Sequence, residues 1–383
     1  MERLYSDEES RLQTTDAHGN RVYVHPEDLD GGWKRKRLFV YWLLIGIYML
    51  LPWIHIGGKQ SILINIPARE FTFFGMTFWG HDAPNLIFVF LGFAFLIAMI
   101  TSIWGRLWCG WACPQTVFLD SVFRKVEALV EGRSRQRKAL DLAPWSLSKI
   151  AKKTTKWALF TVISLHIVHS FLGYFVGTRE LFLISTTNPA ENWTLFIIML
   201  SLTGIVLFDF GWFREQFCII MCPYGRLQSI IMDGDSLAIA YDEKRGEPRK
   251  KVGLPKDQQG DCVDCHQCVR VCPTGIDIRR GLQLECIACT ACIDACDNIM
   301  DKLGKEPGLI RYTSENALAG QKAPTIRPRT VIYVVLLIGV LALAFFNLSH
   351  VGDIKTVVLK GSQELFKVKG DGEILNHYHV EFS

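Results

Sequence analysis

The chain has 383 residues, a formal net charge of +4 and 21% charged residues, and its mean hydropathy is positive. Such a length excludes a small secreted disulfide scaffold, and so small a net charge does not favour a nucleic-acid-binding protein. A positive mean hydropathy beside so many charges indicates that apolar residues are concentrated in blocks, as they are in membrane proteins.

Residues 1–37 form a polar tail without the short apolar core and cleavage site of a signal peptide, so we expect the first apolar block to remain as an anchor. Five blocks have the length of about 20 residues that a membrane-spanning helix needs. They are residues 38–56, 84–104, 157–177, 193–212 and 331–348. Because several of these blocks have no polar face, we predict membrane helices rather than core helices of a soluble protein.

Basic residues are unevenly distributed among the connections between the blocks. They are rare in residues 57–83 and 178–192 and frequent elsewhere. The positive-inside rule therefore predicts that the N-terminus and the connections 105–156 and 213–330 are cytoplasmic. An odd number of spans then places the C-terminus on the opposite side. All cysteines lie on or near the reducing side in this arrangement.

Two C-x3-C-P boxes follow the second and fourth apolar blocks. They contain Cys109 with Cys113 and Cys218 with Cys222, and their recurrence predicts two helix-pair repeats. On a helix this spacing places both sulfurs on one face, and the following proline would stop or kink the helix. Paired thiolates at a membrane edge suit Cu(I), with Met221 as a possible thioether ligand, or a redox dithiol. Inert core cysteines are the alternative.

The other eight cysteines lie between residues 262 and 296, in two copies of a C-x2-C-x2-C-x3-C pattern. In two-cluster ferredoxins, three closely spaced thiolates bind one cubane and the fourth reaches across to the other. The predicted ligands of one 4Fe-4S cluster are Cys262, Cys265, Cys268 and Cys296. Those of the other are Cys286, Cys289, Cys292 and Cys272. Two zinc sites are the alternative, but zinc ligand pairs are usually separated by a longer loop.

Three histidines near these motifs are candidates for functional roles. His166 and His169 lie in the third apolar block, where ionisable side chains indicate a quinone, metal or proton site unless they simply hydrogen-bond a neighbouring helix. His266 lies between two predicted ligands, and because the thiolate count is complete we expect it at the surface.

The residues after the last apolar block predict a β-hairpin about a turn at residues 370–372. His377 and His379 fall on one face of its second strand, for which a solvated face is favoured over a Cu(II) site. A lone hairpin buries too little surface to fold independently, so we expect it to be part of a larger β domain.

These motifs resemble one protein family. The segments GRLWCGWACPQTVF, REQFCIIMCPYGRLQS and CVDCHQCVRVCPTGIDIRRGLQLECIACTACIDACDNIMDK are similar to cytochrome c oxidase accessory proteins of the CcoG/FixG/RdxA type, and the likeness extends from about Lys34 through the last span. The resemblance implies a bacterial inner-membrane protein with two 4Fe-4S clusters that acts in assembly of a cbb3-type oxidase and supplies Cu(I) as a cupric reductase. It also implies that the four box cysteines handle copper.

The predicted fold is an α-helical membrane protein with five transmembrane helices, an inserted α+β two-cluster ferredoxin domain and a truncated β segment. Members of the family continue into an immunoglobulin-like β-sandwich outside the cytoplasm, of which this chain is expected to carry only the opening strands. The predicted divisions are an N-terminal tail (1–37), a four-helix membrane domain (38–230), the ferredoxin domain (231–325), the fifth span (326–350) and the β segment (351–383).

The leading functional hypothesis is the reduction of Cu(II) at the thiol pairs by electrons from a cytoplasmic donor, followed by release of Cu(I) to a copper carrier or an oxidase assembly factor. One alternative is a quinol-linked electron conduit in which His166, His169 and Asp209 handle quinol protons. Another is a non-enzymatic redox sensor or scaffold. The lipid membrane is an expected partner, nucleic acid is not, and a homodimer is left open.

Overall fold

A computed structural model describes most of the chain. The described residues are 14, 18, 21–79, 83–249, 255, 258–324, 326–349, 356–360, 367–368, 374–375 and 378–382. Five helices in this part of the chain are long and apolar enough to cross a membrane. They are α1 (Gly32–Leu50), α2 (Ala83–Trp104), α7 (Leu147–Val176), α9 (Trp193–Phe208) with the helical turns on either side of it, and α15 (Pro328–Ser349). The five predicted spans are thus confirmed as candidate membrane helices.

Two of these helices begin earlier than hydropathy predicts. Helix α7 begins at Leu147, where the side chain of Ser146 accepts a hydrogen bond from the backbone N–H of Lys149. Helix α1 begins at Gly32, and the backbone N–H groups of the next two residues donate to the carboxylate of Asp294 at 3.1 and 2.8 Å. Both extensions are rich in basic residues, so hydropathy detects only the apolar part of each helix.

The segment after the first box consists of short helices at the end of the membrane bundle. They are α3 (Leu107–Trp111), α4 (Pro114–Phe118), a π-helical turn (Leu119–Phe123), α5 (Arg124–Glu131) and α6 (Ser134–Leu142). Phe123 is buried here and stacks on Phe210 with ring centroids 4.8 Å apart, while Phe160 of α7 meets it edge to face. This aromatic core joins the first-box segment to α7 and to the end of α9.

The second box has a similar local arrangement. It comprises π-helical turns at Asp209–Phe213 and Phe217–Met221, followed by α10 (Pro223–Ile231). In both boxes the second cysteine, Cys113 or Cys222, is an extended N-cap residue and the proline begins a new helix. The predicted stop before the proline is confirmed, since α3 ends at Trp111 and the second π-helical turn ends at Met221. The second cysteine of each box lies outside that helix, so the prediction that both sulfurs share one helix face is wrong. Proline lacks an N–H and disfavours helical backbone in the residue before it, so it belongs at the first position of a helix.

The cysteine-rich region is closed by an antiparallel strand pair, β6 (Ala238–Tyr241) with β7 (Ile310–Thr313). Four short helices and a 3-10 turn accompany these strands. They are α11 (Glu243–Gly246), α12 (Gln267–Arg270), the 3-10 turn (Ile278–Arg280), α13 (Ala291–Lys302) and α14 (Glu315–Leu318). Buried Ile239, Ile293, Met300 and Leu309 pack with several cysteines in one core. This region has the α+β character that was predicted.

Short strands and a helix lie at the opposite end of the bundle. They are β1 (His55–Ile56), β2 (Lys59–Gln60), the antiparallel sheet β3 (Ile62–Asn65), β4 (Glu70–Phe73) and β5 (Met76–Trp79), and α8 (Thr178–Thr186), with 3-10 turns at Leu51–Trp53 and Pro189–Asn192. Buried Gln60 donates to the carbonyl of Gly173 at 2.9 Å and accepts from the N–H of Thr178 at 3.0 Å. The two connections that are poor in basic residues therefore pack together.

The described part of the C-terminal segment contains four strands. They are β8 (Thr356–Lys360), β9 (Lys367–Val368), β10 (Ile374–Leu375) and β11 (Tyr378–Phe382). Strands β9 and β10 pair antiparallel, but β11 pairs with β8 instead of continuing the predicted hairpin. The turn at 370–372 and His377 lie outside the described residues. The immunoglobulin-like domain stays a prediction.

Candidate redox centre

Eight cysteines line two separate small cavities. The outer cavity is lined by Cys262, Cys265, Cys268 and Cys296. The inner cavity is lined by Cys272, Cys286, Cys289 and Cys292, with Cys268 in the wall between the two. Each cavity thus takes three cysteines from one motif and the last cysteine of the other. Of the chain's twelve cysteines, all of them described, Cys265 alone is exposed, so the outer cavity is the one closer to solvent.

The backbone around both cavities repeats an unusual conformation. Asp264 and His266 have φ values of 55° and 54°, and Ala288 and Thr290, at the same positions of the second motif, have 53° and 64°. Left-handed residues between right-handed ones turn successive N–H groups into a concave surface that suits an anionic group, as in many iron–sulfur sites. Such conformations are strained for residues other than glycine, so their recurrence indicates a function.

The arrangement of these eight cysteines fits two clusters. Each cavity takes three cysteines from one motif and one from the other, which is the ligand pattern of a two-cluster ferredoxin. A cubane spreads its four ligands over four iron atoms, whereas zinc draws four sulfurs around one centre. His266 is at the surface as predicted, with 54% of its side chain exposed.

Helix α3 of the first box packs directly on the inner cavity. A Cβ atom on Gly110 would lie 2.5 Å from the carbonyl oxygen of Ile287 and 2.8 Å from that of Ala288, so only glycine permits this approach. Arg106 donates to the carbonyl of Cys286 at 3.2 Å and to that of Gly225, in α10, at 3.3 Å. The inner-cavity loop, the first box and the second box therefore meet at one junction.

An aromatic cluster closes this junction. Trp33 contacts Trp111 and Tyr312 edge to face, with ring centroids 6.1 and 5.7 Å apart. The Tyr312 hydroxyl donates to the carbonyl of Ala288 at 3.0 Å, and Trp111 Nε1 donates to that hydroxyl at 3.4 Å. Helices α1 and α3 and strand β7 are thereby joined beside the inner-cavity loop.

The structure brings the four box cysteines into one electrostatically coupled group. Burial raises the pKa of Cys109 to about 12, with the hydrogen bond from Gln228 opposing the rise and the neighbouring Cys113 and Cys222 adding to it. Burial likewise raises the pKa of Cys218, with further contributions from the other three thiols. The uncharged thiol is thus favoured in the absence of a cation, and binding of a soft metal ion would displace protons.

Two glutamines that no sequence motif singled out lie beside this group, and one of them contacts a box cysteine. Gln228 is fully buried, its Nε2 donates to Cys109 Sγ at 3.2 Å, and its Oε1 has no hydrogen-bond partner among the described residues. Gln115 donates to Asp209 Oδ1 at 3.2 Å and to the carbonyl of Arg214 at 3.1 Å. The sequence signal for Gln115 is its place directly after the first C-x3-C-P box; Gln228 has no such signal.

Other residues considered in the sequence analysis lie apart from this group. His166 is exposed and His169 half-buried on α7, and within the described structure no hydrogen bond joins either one to a cysteine. Met221 is 63% exposed. Asp209, by contrast, is tied to the first box through Gln115.

A buried network of charges supports the membrane edge of the site. Glu127 contacts Arg214 at 2.6 Å, Arg137 at 3.1 Å and Lys156 at 3.5 Å. Burial alone would raise the pKa of Glu127, but the charge and hydrogen bond of Arg214, with Lys156 and Arg137, lower it to about 2. Glu127 is therefore ionised and shares its negative charge among Arg214, Arg137 and Lys156.

A second group of ion pairs reaches the cysteine loop beside the inner cavity. Arg124 pairs with Glu215 at 3.4 Å and donates to the carbonyl of Pro273, the residue after Cys272, at 2.8 Å. Glu215 directly follows Arg214. Two groups of ion pairs, one around Glu127 and one around Glu215, are therefore adjacent along the chain, and the second contacts the cysteine loop at Pro273.

Comparisons with known proteins agree with this geometry. A family profile described as a 4Fe-4S dicluster domain matches residues 213–315, and one described as a 4Fe-4S binding domain matches residues 86–134. Protein RdxB of Cereibacter sphaeroides is 39% identical, with 96% of this chain and 80% of the relative aligned. Protein RdxA of the same organism is 35% identical, with 94% of this chain and 79% of the relative aligned. The nitrogen fixation protein FixG of Rhizobium meliloti is 38% identical, with 79% of this chain and 59% of the relative aligned. No solved structure matches this chain.

Proposed function

Since the chain belongs to the family of FixG, RdxA and RdxB and is a membrane iron–sulfur electron-transfer protein, we propose that it reduces Cu(II) to Cu(I) at its four box cysteines. In this role it serves the assembly of a cbb3-type cytochrome c oxidase. The observation that carries the proposal is the packing of α3, which contains Cys109, on the inner-cavity loop at Gly110.

The proposed ligands of the two 4Fe-4S clusters are the eight cysteines that line the two cavities. They are Cys262, Cys265, Cys268 and Cys296 for the outer cavity and Cys286, Cys289, Cys292 and Cys272 for the inner one. When bound, these clusters supply one-electron transfer. Exposed Cys265 makes the outer cavity the side that a cytoplasmic donor approaches, and Gly110 keeps the inner cavity against α3.

The proposed copper site consists of Cys109, Cys113, Cys218 and Cys222. Soft thiolates bind Cu(I) more favourably than Cu(II), so these side chains favour the product of a one-electron reduction of the Cu(II) substrate. Gln228 holds Cys109 by its hydrogen bond, and its unpartnered Oε1 offers an oxygen to the incoming, harder Cu(II) ion. Cu(I) then leaves to a copper carrier or an assembly factor.

The proposal includes an orientation. The N-terminus and the region 231–325 are cytoplasmic, because the basic residues of the chain are concentrated on that side, and the β segment is periplasmic. Reduction then occurs at the cytoplasmic edge of a bacterial inner membrane, where reducing partners are available.

In a strain that lacks this gene, we expect the C109S/C222S double variant to leave cbb3-type oxidase activity low under copper limitation, whereas the wild-type chain restores it. The variant removes two soft ligands but no proposed cluster ligand. Oxidase activity in isolated membranes is the measurement, and the level of the chain in those membranes is checked by immunoblot.

The M221L variant is the control, since Met221 is exposed between two box cysteines and is not part of the proposed site. It should restore oxidase activity fully. Full restoration by C109S/C222S at normal expression would refute the role of the box cysteines.

A second candidate for the same four cysteines is a third iron–sulfur cluster. It is favoured by the match to a 4Fe-4S binding domain over residues 86–134, where the cysteines are Cys109 and Cys113. Iron analysis of anaerobically purified protein separates the two candidates. The copper proposal predicts about eight iron atoms per chain, four for each cluster. An iron content near twelve atoms per chain in the wild type, falling toward eight in C109S/C222S, would show that the box cysteines bind a third cluster and not copper.

A further inference from the structure

Three arginines from outside the cysteine-rich region donate to backbone carbonyls of the loops around the inner cavity. The pairs of donor and carbonyl are Arg37 with Cys289 at 2.5 Å, Arg106 with Cys286 at 3.2 Å and Arg124 with Pro273 at 2.8 Å. Cys286 and Cys289 are proposed ligands of the inner cluster, and Pro273 directly follows a third, Cys272. We call these three side chains the inner-loop arginines.

Two of the inner-loop arginines are buried in a group with fewer carboxylates than cations. Arg37 and Arg124 both contact Asp120, at 3.8 and 2.6 Å. Arg124 also contacts Glu215 at 3.4 Å, but Glu215 pairs with Arg21 at 3.1 Å as well. Three arginines therefore share two carboxylates, and one positive charge of this group is without a counter-charge of its own.

The third member, Arg106, adds a further positive charge. Within the described part of the chain its guanidinium donates only to backbone carbonyls, which are those of Leu284, Cys286 and Gly225. The side chain is half-buried, so water screens its charge only in part. Asp294, in the first turn of α13, is bound by the first N–H groups of α1, where the positive end of the helix dipole compensates its charge. These groups together favour negative charge in the inner cavity.

The hydrogen bonds to the carbonyls also orient the peptide groups. In a planar trans peptide the C=O and the N–H point in opposite directions, so a carbonyl held toward an arginine turns the following N–H toward the cavity. Arg124 holds the carbonyl of Pro273 in this way, and the next residue is Thr274, whose hydroxyl lies 3.4 Å from Cys272 Sγ. Inward N–H groups and nearby positive charge both stabilise the reduced, more negative form of an iron–sulfur cluster and raise its potential.

The charges beside the outer cavity are better compensated. Arg279 lines this cavity and is buried, but it pairs with two carboxylates, Asp277 at 2.7 Å and Asp264 at 2.5 Å. Arg270 donates to the carbonyl of Cys265 at 3.0 Å, but its side chain is 40% exposed, so water screens its charge. The two cavities therefore differ in the charge that surrounds them, although their cysteine motifs repeat.

We propose that the inner-loop arginines raise the reduction potential of the inner cluster above that of the outer cluster. They contact backbone atoms of the loops, so they act as positioning residues. The step that they favour is the transfer of one electron from the outer cluster, which is oxidised, to the inner cluster, which is reduced, without movement of a proton. This inference rests on the cluster ligands of the proposed function. It adds a direction, from the exposed Cys265 side toward α3.

The test is a redox titration of the anaerobically purified full chain, followed by EPR and without copper. The R37Q variant removes one charge and leaves Asp120 paired with Arg124. We expect the ratio of reduced to oxidised inner cluster at a fixed potential to fall about tenfold, which for one electron is a shift of about 59 mV to more negative potential. R37K keeps the charge and should recover most of this shift, which a purely structural role of Arg37 would not predict.

The C265S variant assigns the signals. Cys265 lines only the outer cavity, so C265S should alter the signal of the outer cluster and leave that of the inner cluster unchanged. In the wild type, the signal that appears first during stepwise reduction should be the one that C265S preserves. R270Q is the matched control, because Arg270 also donates to a ligand's carbonyl but is exposed. It should leave the inner potential at the wild-type value.

A second variant keeps the test decisive if R37Q does not fold. R106Q removes a half-buried charge without leaving a carboxylate unpaired in the described structure, and it should also shift the inner potential to more negative values.

Three results would overturn the inference. They are a first-reduced signal that C265S alters, an inner potential in R37Q and R106Q equal to that of the wild type, and a shift in R37K as large as that in R37Q. The absence of two 4Fe-4S signals from the wild type would instead refute the ligand assignment of the proposed function, and this inference with it. Because the titration contains no copper, its result is independent of copper reduction at the box cysteines.

Discussion

Replacing Glu127 with glutamine is expected to lower the free energy of unfolding by about 3–5 kcal/mol, because the change leaves buried Arg214 without its counter-charge. Arg214 is fully buried, and Glu127 approaches it at 2.6 Å. The lowered pKa of Glu127, about 2 against an ordinary 4.5, agrees with an interaction of about 3 kcal/mol. Equilibrium unfolding in detergent micelles measures the difference.

The lowered pKa of Glu127 also predicts how the free energy of unfolding changes with pH. A carboxylate whose pKa is depressed in the folded chain contributes its full stabilisation above its unfolded-state pKa, near 4.5, and loses it as pH falls toward 2. The wild type should therefore lose stability over this range and E127Q should lose less. The control is E306Q at an exposed loop position, expected to change stability by less than about 0.5 kcal/mol. Equal effects of E127Q and E306Q would contradict the structural account.

The G110A variant is expected to separate α3 from the inner-cavity loop and to slow electron transfer to the box cysteines. The added methyl group would meet the carbonyl oxygens of Ile287 and Ala288, which are backbone atoms and cannot swing aside. Overpacking of this kind costs about 1–3 kcal/mol, equivalent to roughly a 5- to 150-fold loss of the docked arrangement. Stopped-flow re-oxidation of the reduced protein by Cu(II) should slow by a factor in this range.

G204A is the matched control for G110A, because Gly204 is also helical and a Cβ there would meet nothing within 4 Å. Both variants should retain the wild-type iron content and visible spectrum. If G110A re-oxidises as fast as G204A, then the contact between α3 and the inner-cavity loop is not the route that electrons take.

The features that sequence predicts well are those that depend on local pattern. Membrane helices follow from the length of apolar blocks, and the sets of cysteines that line the two cavities are those that the motif spacing selects. Left-handed residues such as Asp264 and Ala288 occur at matching places because the two motifs repeat the same loop. These properties need no knowledge of the rest of the chain.

The features that sequence missed depend on contacts between distant segments. Lys156 extends α7 beyond its apolar part because Glu127 and Glu131 compensate its charge, and no pattern around Lys156 shows this. Gln228 meets Cys109 across two boxes, and His25 meets Asp141 across the first-box segment. Neither pair is marked by a motif, so both required the structure.

The box prolines show a local rule that sequence captures only in part. The helical segment with the first cysteine of each box ends before the proline, as predicted. In the structure each proline begins a helix, which places Cys113 and Cys222 in extended backbone at helix N-termini. The two cysteines of each box therefore approach the shared group from different backbone segments.

The most direct test of copper reduction at the box cysteines is a single-turnover measurement. Chemically reduced full chain, freed of excess reductant, is mixed anaerobically with Cu(II) and a Cu(I)-specific chelator, and cluster absorbance and the Cu(I) complex are followed together. The account predicts that cluster re-oxidation and Cu(I) formation proceed at one rate in the wild type and in M221L, and that C109S/C222S loses most of that rate while its reduced spectrum is unchanged. Re-oxidation of C109S/C222S at the wild-type rate, with intact clusters, would contradict it.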